Sequence, residues 1–414
     1  MKNIWIMNHY ATDQYFNEGG RHYWFAQYLK KQGYKVTIFC ANTRHNSNEM
    51  INTDGKEHNE RIDNGITFVF VKSHAYKTNN HHRIFNMITF AKRLITVAEE
   101  YRKRYGQPDV ILASSVHPLT LMAGLKIAKK WNIKCVVEIR DLWPESIVAY
   151  NILSEKNPFV KLMYYLEKTI YKKADSIIMT WPGGYEYIKS KGWGSQIPKE
   201  KVYHISNGVV LSDFYQNAIR YNQTDEELLS REFKTFVYTG SIRKVNDLSL
   251  LIDAAYIIEK QYPEDKIRVF IYGDGDEKGQ LLEKVNKLKL KNILFKGKIP
   301  KKFVPFILKN AYANILHNRS TRLNQYGQSQ NKLFEYLAAG RPIIQTYTAN
   351  YSVVENSNSG ICVTEQSPQK IADAMVQMAR SEKLASEQGK NAFQIVKEYD
   401  FKYLTKKLIQ ILDS

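Results

Sequence analysis

Short apolar runs alternate with helix-length segments along almost the whole chain of 414 residues. Continuous apolar runs are typical of strands covered on both faces, and their alternation with helices indicates parallel, doubly wound sheets. The predicted strands are Ile4–Met7, Val36–Phe39, Thr67–Val71, Val110–Ala113, Cys135–Ile139, Ser176–Met179, Val202–Ile205, Phe236–Thr239, Val269–Tyr272, Ile293–Phe295, Ala313–Leu316 and Ile343–Gln345. The predicted helices of the first half are Gly20–Gln32, Ile84–Arg104, Leu119–Trp131 and Pro158–Lys173.

The alternation pauses at Asn207-Gly208 and in the polar stretch Gln216–Arg231. We therefore expect two Rossmann-like α/β domains of similar size, residues 1–205 and 206–399. The amphipathic segment 400–414 is expected to pack back on the first domain. Open parallel sheets bind ligands at the carboxyl ends of their strands. Two such domains would face each other across a central cleft built from strand-end loops.

The cysteines and apolar runs exclude several classes of protein. The three cysteines are widely spaced, which excludes a disulfide scaffold and a C-x-x-C zinc site and suits a reducing compartment. The N-terminus lacks the apolar region of a signal peptide, and no uncharged apolar run approaches the ~18–20 residues that span a bilayer. We expect a soluble, cytoplasmic protein.

The formal net charge of +19 calls for a physical explanation. Such a surplus favours an acidic partner, which here means nucleic acid, an anionic membrane surface or a phosphorylated ligand. The alternative is that the excess is solvated lysine. Residues 1–205 carry 30 basic and 18 acidic side chains, so most of the surplus lies in the first predicted domain.

Glycine-containing turns follow several predicted strands and open helices. Gly19-Gly20, before a helix, would let backbone amides approach an anion, although a simple turn also explains them. In the loop Gly240–Lys244, Arg243 and Lys244 would suit a diphosphate, and surface cations are the alternative. Gly273 allows a tight turn or the close approach of a ligand.

The segment Ser329–Pro342 is the most specific of these motifs. It predicts one helix that ends at a glycine and is followed by a strand. Lys332 and Glu335 lie on one face of it, at i and i+3. They form either a surface salt bridge or an anion contact beside a carboxylate that accepts hydrogen bonds from sugar hydroxyls.

His117 and Asp141 each follow a strand of the first predicted domain. Either side chain could donate or accept a proton, or anchor a hydroxyl group. A purely structural histidine is the alternative for His117. The histidines show no metal-ligand spacing with carboxylates or cysteines.

Together, these loops resemble the retaining glycosyltransferases of family 4, which have the GT-B fold. RDLWPES and NKLFEYLAAG are most similar to the branch that builds bacterial surface polysaccharides such as O-antigen and capsule. That branch often transfers aminosugars or deoxysugars from UDP donors. The matching stretches are Gly19–Arg21, RDLWPES (140–146), ISNGVVLSDF (205–214), YTGSIRKVNDLSLLIDA (238–254), IYGDGDEKGQL (271–281), FKGKIP (295–300) and NKLFEYLAAGRPII (331–344).

The resemblance implies a division of labour between the two domains. The second would bind the nucleotide sugar, with the base near Lys298 and Ile299 and the ribose held by Glu335. The first would hold the acceptor, with His117 and Asp141 as catalytic residues and Arg140 on the acceptor side. The remaining donor-binding residues implied are Gly19, Gly20, Ser241, Arg243, Lys244, Gly273, Gln330, Asn331, Lys332 and Leu333.

Two positions depart from the family pattern. The family often has two glutamates separated by seven residues, and Gly327 stands where the first is expected. Gln328 or Gln330 would then supply the donor-sugar contact. Ser241 and Asn246 occupy the positions of the usual arginine and lysine of the diphosphate loop, so Arg243, Lys244 or Lys332 would replace those cations.

The implied activity is transfer of a sugar, with retention, from a UDP-linked donor to a saccharide or polyprenyl-diphosphate-linked acceptor. No metal or other cofactor is expected, because cations and helix amides would stabilise the leaving diphosphate. One alternative is a non-hydrolysing UDP-sugar epimerase of similar architecture. A nucleic-acid-binding protein is another, which the lack of an RRM, KH or helix-turn-helix signature disfavours.

In two segments, basic residues alternate with apolar ones. This pattern predicts that the protein binds to the inner face of the cell membrane. His81–Arg104 interleaves cations with Ile84, Phe85, Phe90 and Leu94. A second cluster surrounds Met163, Tyr164 and Tyr165 with Lys168, Lys172 and Lys173. The alternative is that the apolar residues face the core and the cations face water.

Overall fold

The computed structural model describes residues 2–45, 47, 49–76, 81–115, 117–222 and 225–414. It divides into two compact units, one formed by Met1–Ser206 with Phe401–Ser414 and the other by Asn207–Asp400. Each unit contains one sheet, largely or wholly parallel, with helices between its strands. The predicted doubly wound α/β architecture is therefore confirmed.

The first unit has a sheet of order β3-β4-β2-β1-β5-β6-β7-β8, in which only β3 runs antiparallel, to β4. Its elements are β1 (Asn3–Met7), α1 (Thr12–Phe16), α2 (Arg21–Lys31), β2 (Lys35–Ala41), β3 (His58–Asp63), β4 (Ile66–Val71), α3 (His81–Tyr105), β5 (Val110–Ser114), α4 (Pro118–Trp131), β6 (Lys134–Ile139), α5 (Glu145–Ala149), α6 (Pro158–Lys173), β7 (Ser176–Met179), α7 (Gly184–Ser190) and β8 (Val202–His204).

Helices cover both faces of this sheet. Parallel crossovers are right-handed, so α2, which leads from β1 outward to β2, lies on one face. The connections from β4 to β5, β5 to β6 and β6 to β7 run in the opposite direction and place α3, α4 and α6 on the other face. In agreement, α4 packs against both α3 and α6.

The second unit has a fully parallel sheet of order β11-β10-β9-β12-β13-β14. Its elements are α8 (Leu211–Arg220), α9 (Glu226–Leu229), β9 (Lys234–Thr239), α10 (Ser249–Gln261), β10 (Ile267–Tyr272), α11 (Lys278–Leu288), β11 (Ile293–Gly297), α12 (Val304–Asn310), β12 (Ala313–Leu316), α13 (Asn331–Ala338), β13 (Ile343–Gln345), α14 (Val353–Asn356), β14 (Gly360–Cys362), α15 (Pro368–Ala379) and α16 (Glu382–Ile395).

Several short or largely exposed elements escaped the sequence prediction, including two edge strands. The edge strand β3 is largely polar, and it is held by its hydrogen bonds to β4 rather than by burial. The other edge strand, β14, is only three residues long. The predicted polar break Gln216–Arg231 contains α9 and the second half of α8. The buried residues of α8 are only Phe214 and Ala218. Residues 223–224 of that break lie outside the described residues.

The last helix, α17 (Phe401–Asp413), packs on the first unit. The Phe401 ring lies 4.8 Å from Trp24 and 5.2 Å from Phe25, measured between ring centroids. At the other end of the helix, the ammonium of Lys2 donates to the carbonyl of Leu412 at 2.7 Å. The chain thus returns to its first unit and fastens there by aromatic packing and polar contacts.

We expect the Phe401→Ala substitution to lower the free energy of unfolding by about 3–5 kcal/mol, because Phe401 is only 1% exposed and its loss leaves a cavity. Urea unfolding followed by circular dichroism would measure the change. Phe393→Ala is the matched control, since Phe393 is 43% exposed. Equal destabilisation by the two variants would contradict the packing described for α17.

Candidate functional site

The loops after β9, β10 and β11 lie side by side at the carboxyl edge of the second sheet. The N–H of Gly240 donates to the carbonyl of Tyr272 at 3.0 Å, and the N–H of Gly273 donates to that of Gly297 at 2.9 Å. The three loops therefore form one hydrogen-bonded layer, which is where ligands bind in open parallel sheets.

Gly273 is required by the packing of this layer. A Cβ atom at Gly273 would lie 1.8 Å from the carbonyl oxygen of Gly240. The same holds at Gly275, where a Cβ atom would lie 2.1 Å from the oxygen of Ile242. Close packing between loops thus explains both glycines, and donor binding by Gly273 stays a prediction.

Lys332, in the first turn of α13, lies beside the β9 loop. Its ammonium donates to the Tyr238 hydroxyl at 3.1 Å and sits 4.3 Å from the centroid of that ring. A Cβ atom on Gly240 would lie 3.0 Å from the Lys332 nitrogen, so only a small residue fits there. The structure thus brings together the predicted glycine loop and the predicted cation.

No carboxylate lies within ion-pair distance of Lys332 among the residues that the structure describes. Burial lowers the pKa of Lys332 to about 7. A bound anion next to this amine would favour its charged form and raise its pKa again.

Glu335 forms an ion pair with Lys301, not with Lys332. Its carboxylate lies 2.5 Å from the Lys301 nitrogen, and the two side chains are 17% and 71% exposed. The alternative of a Lys332–Glu335 salt bridge is therefore wrong. Because Lys301 is so exposed, it can move aside at little cost and leave the carboxylate free to accept hydrogen bonds.

Amide side chains surround the position of the missing glutamate. Gly327 lies in a turn with φ of +84°, a backbone conformation that favours glycine. The Gln330 amide donates to the side-chain oxygen of Gln328 and to the Tyr347 hydroxyl, and Gln328 donates to Asn324 at 2.7 Å. Neutral hydrogen-bonding groups thus occupy the region where the family often places a carboxylate.

The other predicted donor residues of α13 and the β11 loop differ in their surroundings. Asn331 is exposed at the start of α13. Leu333 is buried in the core, and its N–H donates to the carbonyl of Gln330, so its own groups are already engaged. After β11, Lys298 is exposed and Ile299 packs partly against the same core.

The cations of the β9 loop point into solvent. Arg243 and Lys244 are both exposed. The Ser241 hydroxyl instead donates to the side chain of Asn246 at 3.0 Å, which stabilises the turn. The two residues that replace the usual arginine and lysine thus bind each other.

His317, which the sequence analysis did not single out, joins three loops of this edge. Its Nε2–H donates to the carbonyl of Asp247 at 2.9 Å, and its Nδ1 accepts from the Thr346 hydroxyl at 2.6 Å. Burial lowers the pKa of His317 to about 4, so the ring is neutral. Its only sequence signal is its place directly after β12, and it acts as a structural crosslink.

In the first unit, Gln14 caps the helix that follows Gly19-Gly20. Its side-chain oxygen accepts from the N–H groups of His22 and Tyr23, at 2.9 and 3.0 Å. Gly20 has φ of +121°, and a Cβ atom there would lie 2.8 Å from Gln14. The turn interpretation therefore accounts for Gly20, and two amides that an anion would need are already occupied.

A buried carboxylate, Glu138, lies at the end of β6. It accepts from Arg21, His22 and Ser114, each at 2.7 Å. Burial alone would raise the pKa of Glu138, but the neighbouring Arg21 and His22 outweigh it and hold that pKa well below its usual range. Sequence reasoning missed this centre, although Arg21 lies in a quoted motif and Glu138 in the predicted strand Cys135–Ile139.

Arg21 extends this centre to the end of the first unit. Its terminal nitrogens donate to the carbonyls of Ile205 and Ser206, at 2.9 and 2.5 Å. These are the residues directly after β8. The Arg21 guanidinium thus connects the start of α2 with the end of β6 and with the two residues that follow β8.

His117 lies at the start of α4 and is only 2% exposed. Its Nε2 lies 2.6 Å from Nδ1 of His9, whose ring stacks between Tyr10 and Phe90. Burial lowers the pKa of His117 to about 3. At neutral pH this imidazole is therefore neutral, so one ring nitrogen can donate a hydrogen bond and the other can accept one.

Asp141 and His117 line one small recess, together with Ser115 and Trp143. Asp141 is exposed. The backbone of Arg140 is fixed on both sides, since its N–H donates to the Ser115 hydroxyl and its carbonyl accepts from the Trp181 indole, both at 2.9 Å. The structure thus brings His117 and Asp141 together in one recess, and Arg140 adjoins Asp141 in the chain.

Within the described residues, no three His, Cys, Asp or Glu side chains are arranged to hold a metal ion. In that part of the chain there is also no helix long and apolar enough to cross a membrane.

Two family models match the chain. One, described as Glycosyltransferase Family 4, matches residues 23–213, and one described as Glycosyl transferases group 1 matches residues 233–381. The chain belongs to glycosyltransferase family 4. The resemblance drawn from its motifs is confirmed.

Two curated relatives match part of the chain. A putative teichuronic acid biosynthesis glycosyltransferase, TuaH of Bacillus subtilis (strain 168), is 27% identical over 52% of this chain and 51% of its own length. A poly(ribitol-phosphate) alpha-N-acetylglucosaminyltransferase of Staphylococcus aureus (strain COL) is 22% identical over 65% of this chain and 62% of its own. The chain thus spans about half to three fifths of these relatives.

Solved structures match the whole chain. Sucrose-phosphate synthase from Thermosynechococcus elongatus aligns with a TM-score of 0.73 at 16% identity, covering 99% of this chain and 98% of the other. Anabaena Alr3699/HepE, solved in complex with UDP, aligns with a TM-score of 0.69 at 12% identity over 100% of both chains. These likenesses confirm the GT-B fold.

We expect Glu138→Gln to destabilise the first unit by about 3–5 kcal/mol, because it leaves the buried Arg21 without a counter-charge. Urea unfolding would measure this. The control is Glu186→Gln. The Glu186 carboxylate is exposed and lies 3.8 Å from Lys189, so its loss should have a far smaller effect. A fully stable Glu138→Gln protein would mean that the ion pair does not organise this unit.

Proposed function

We propose that this protein transfers a sugar, with retention, from a UDP-linked donor to a saccharide or polyprenyl-diphosphate-linked acceptor during synthesis of a bacterial surface polysaccharide. The observation that carries the proposal is Lys332, which has no ion-pair partner among the described residues and lies at the start of α13, beside the glycine loop after β9. Membership of glycosyltransferase family 4 supports it, and so do the glycosyltransferase activities for which the two curated relatives are named.

The second unit would bind the donor at the carboxyl edge of its sheet. Lys332 would face the diphosphate, with Arg243 and Lys244 as exposed cations on the neighbouring β9 loop. Glu335, once released from Lys301, would accept hydrogen bonds from the ribose hydroxyls. The base would lie near the β11 loop.

Charge stabilisation would drive the chemistry. When the sugar–phosphate bond breaks, negative charge grows on the diphosphate, and a cation already in place lowers the barrier without reorganising solvent. A metal ion is not needed for this role. Retention would follow if the acceptor attacks from the face that the diphosphate leaves, with a donor phosphate oxygen taking the acceptor proton.

Uncharged amides next to the transferred sugar favour a donor whose substituents are themselves polar and neutral. Gln328 and Gln330 present such groups around Gly327. Their donors and acceptors would suit an acetamido group, whereas a deoxy position would leave them without a partner. The name of the Staphylococcus aureus relative, an N-acetylglucosaminyltransferase, is consistent with an aminosugar.

The first unit would hold the acceptor. His117 and Asp141 line one recess, where the neutral imidazole and the carboxylate would orient a hydroxyl group, with Arg140 beside them on the acceptor side. Because His117 has its low pKa, it would act through hydrogen bonds rather than as a charged acid.

Association with the inner face of the cell membrane would bring a lipid-linked acceptor to this unit. Ile84 and Phe85 on α3 are 58% and 55% exposed, and Phe159 and Tyr165 on α6 are 59% and 67% exposed. Other apolar members of the two predicted segments belong to the core instead: Phe90, Leu94 and Met163.

We expect Lys332→Met and Glu335→Gln each to lower kcat/KM for the UDP-sugar by about 10²–10³-fold, since each removes a charged contact to the donor. Donor turnover would be followed by UDP release. Lys397→Met, which removes an exposed lysine of the same unit, is the control and should leave the rate unchanged. Near-normal rates in both site variants would reject this donor site, and donor epimerisation without an acceptor would indicate an epimerase.

UDP binding should take up a proton. The free protein holds Lys332 with a pKa of about 7, so at pH 8 this amine is mostly neutral, and the diphosphate favours its charged form. We expect close to one proton taken up per UDP at pH 8 and an affinity that weakens as the pH rises above 7. Calorimetry in buffers of different ionisation enthalpy would measure this uptake, and Lys332→Met should abolish it.

A further inference from the structure

A groove of about 790 Å³ runs along α4 on one face of the first unit, with α3 as one wall and α6 as the other. It lies on the face of the sheet that α3, α4 and α6 cover. Only the start of the groove is near the carboxyl edge of the sheet. Its apolar lining comes from all three helices and consists mainly of Ile95, Leu119, Met122, Leu125, Leu166 and Ile170.

Helix α4 packs closely against β5 beneath the groove. A Cβ atom at Gly124 would lie 2.7 Å from that of Ala113 on β5, so the helix can approach this closely only with glycine there. Ala123 and Ala128 are the small residues of α4 that line the groove. Small residues thus form part of the channel floor between the larger side chains of α3 and α6.

Four lysines border this channel: Lys92 on α3, Lys126 and Lys129 on α4, and Lys173 on α6. In the described part of the chain none of these four ammonium groups has an ion-pair partner. Asp175 is the one acidic residue of the lining. The channel thus combines an apolar floor with a rim of unpaired positive charge.

The channel begins next to the candidate acceptor residues. Leu119 follows His117 by two residues, and from Leu119 to Lys129 the helix rises by about 15 Å. Beside the groove, Leu162 and Tyr165 of α6 are 52% and 67% exposed. Apolar surface therefore continues from the channel onto the outer face of α6.

We propose that this groove binds the hydrocarbon chain of an anionic membrane lipid, with the phosphate of its head group among the four lysines. The apolar lining matches the chain, and the unpaired ammonium groups match the phosphate. This inference deepens the membrane association proposed above, because it places one lipid molecule in a defined site rather than against a charged surface.

The direct test uses dodecyl phosphate as the lipid probe and inorganic phosphate as its chain-free counterpart. Dodecyl phosphate, kept below its micelle concentration, should raise the melting temperature of the first unit, and inorganic phosphate at the same concentration should not. Thr169→Trp, which fills the groove without changing its charge, should abolish the shift. Ile62→Trp, at an exposed position on β3, is the control and should keep it.

Vesicle sedimentation tests the same site at a membrane. The wild-type protein should bind vesicles that contain phosphatidylglycerol and not vesicles of phosphatidylcholine alone. Lys126→Glu with Lys129→Glu should weaken that binding by at least about 25-fold, near fivefold for each positive charge lost. Lys30→Glu with Lys31→Glu, two exposed lysines of α2 on the opposite face of the sheet, should weaken it far less.

UDP binding, measured on every variant, separates this inference from the proposed function. Loss of lipid binding with unchanged UDP binding supports the groove, whereas a wild-type protein without UDP binding would reject the donor site and leave the lipid result standing. Equal vesicle binding by Thr169→Trp and wild type would overturn the groove assignment. Concentration-dependent dimerisation that Thr169→Trp abolishes would also overturn it, since a second copy would then be the occupant.

Discussion

Parallel strand pairing determines where this protein can do chemistry. In each sheet it gathers the strand-end loops at one edge, so residues far apart in the chain become neighbours there. Lys332 and the β9 loop meet because β9 and β12 are paired, and α13 follows the loop after β12. The sheet topology thus determines which candidate donor residues lie close together, and their side chains determine what they can bind.

Buried polar groups then fix these loops in place. Glu138 does so in the first unit by collecting hydrogen bonds from α2 and β5. In the second, His317 joins three loops, and the Tyr336 hydroxyl hydrogen-bonds to both backbone groups of Thr239, at the end of β9. Since an unsatisfied buried polar group is costly, each of these contacts specifies one loop conformation rather than merely adding stability.

Much of the fold could be predicted from the sequence because its strands are buried on both faces. Such strands leave uninterrupted apolar runs, and all twelve predicted strands overlap strands of the structure. The edge strands β3 and β14 could not be found this way, because hydrogen bonding to a single neighbour requires no apolar run. The helix α8 was missed for a related reason, since only two of its residues are buried.

The candidate site was less predictable, because its geometry depends on contacts between distant residues. Lys332 and Glu335 were visible as a pair at i and i+3, yet each finds its partner elsewhere, in Tyr238 and Lys301. Nothing in the local sequence distinguishes Gly273 as a packing residue from Gly273 as a ligand contact. Likewise, the centre around Glu138 joins residues 117 positions apart, a distance that no motif spans.

The side chain of Gln14 gives the start of α2 an internal substitute for a ligand. Because the Gln14 oxygen already accepts hydrogen bonds from the amides of His22 and Tyr23, these N–H groups have partners when no ligand is bound. A phosphate arriving at Gly19-Gly20 would therefore exchange one acceptor for another instead of filling a vacancy. Its net gain would come only from its extra charge, so this end of the molecule would discriminate by charge and ignore neutral ligands.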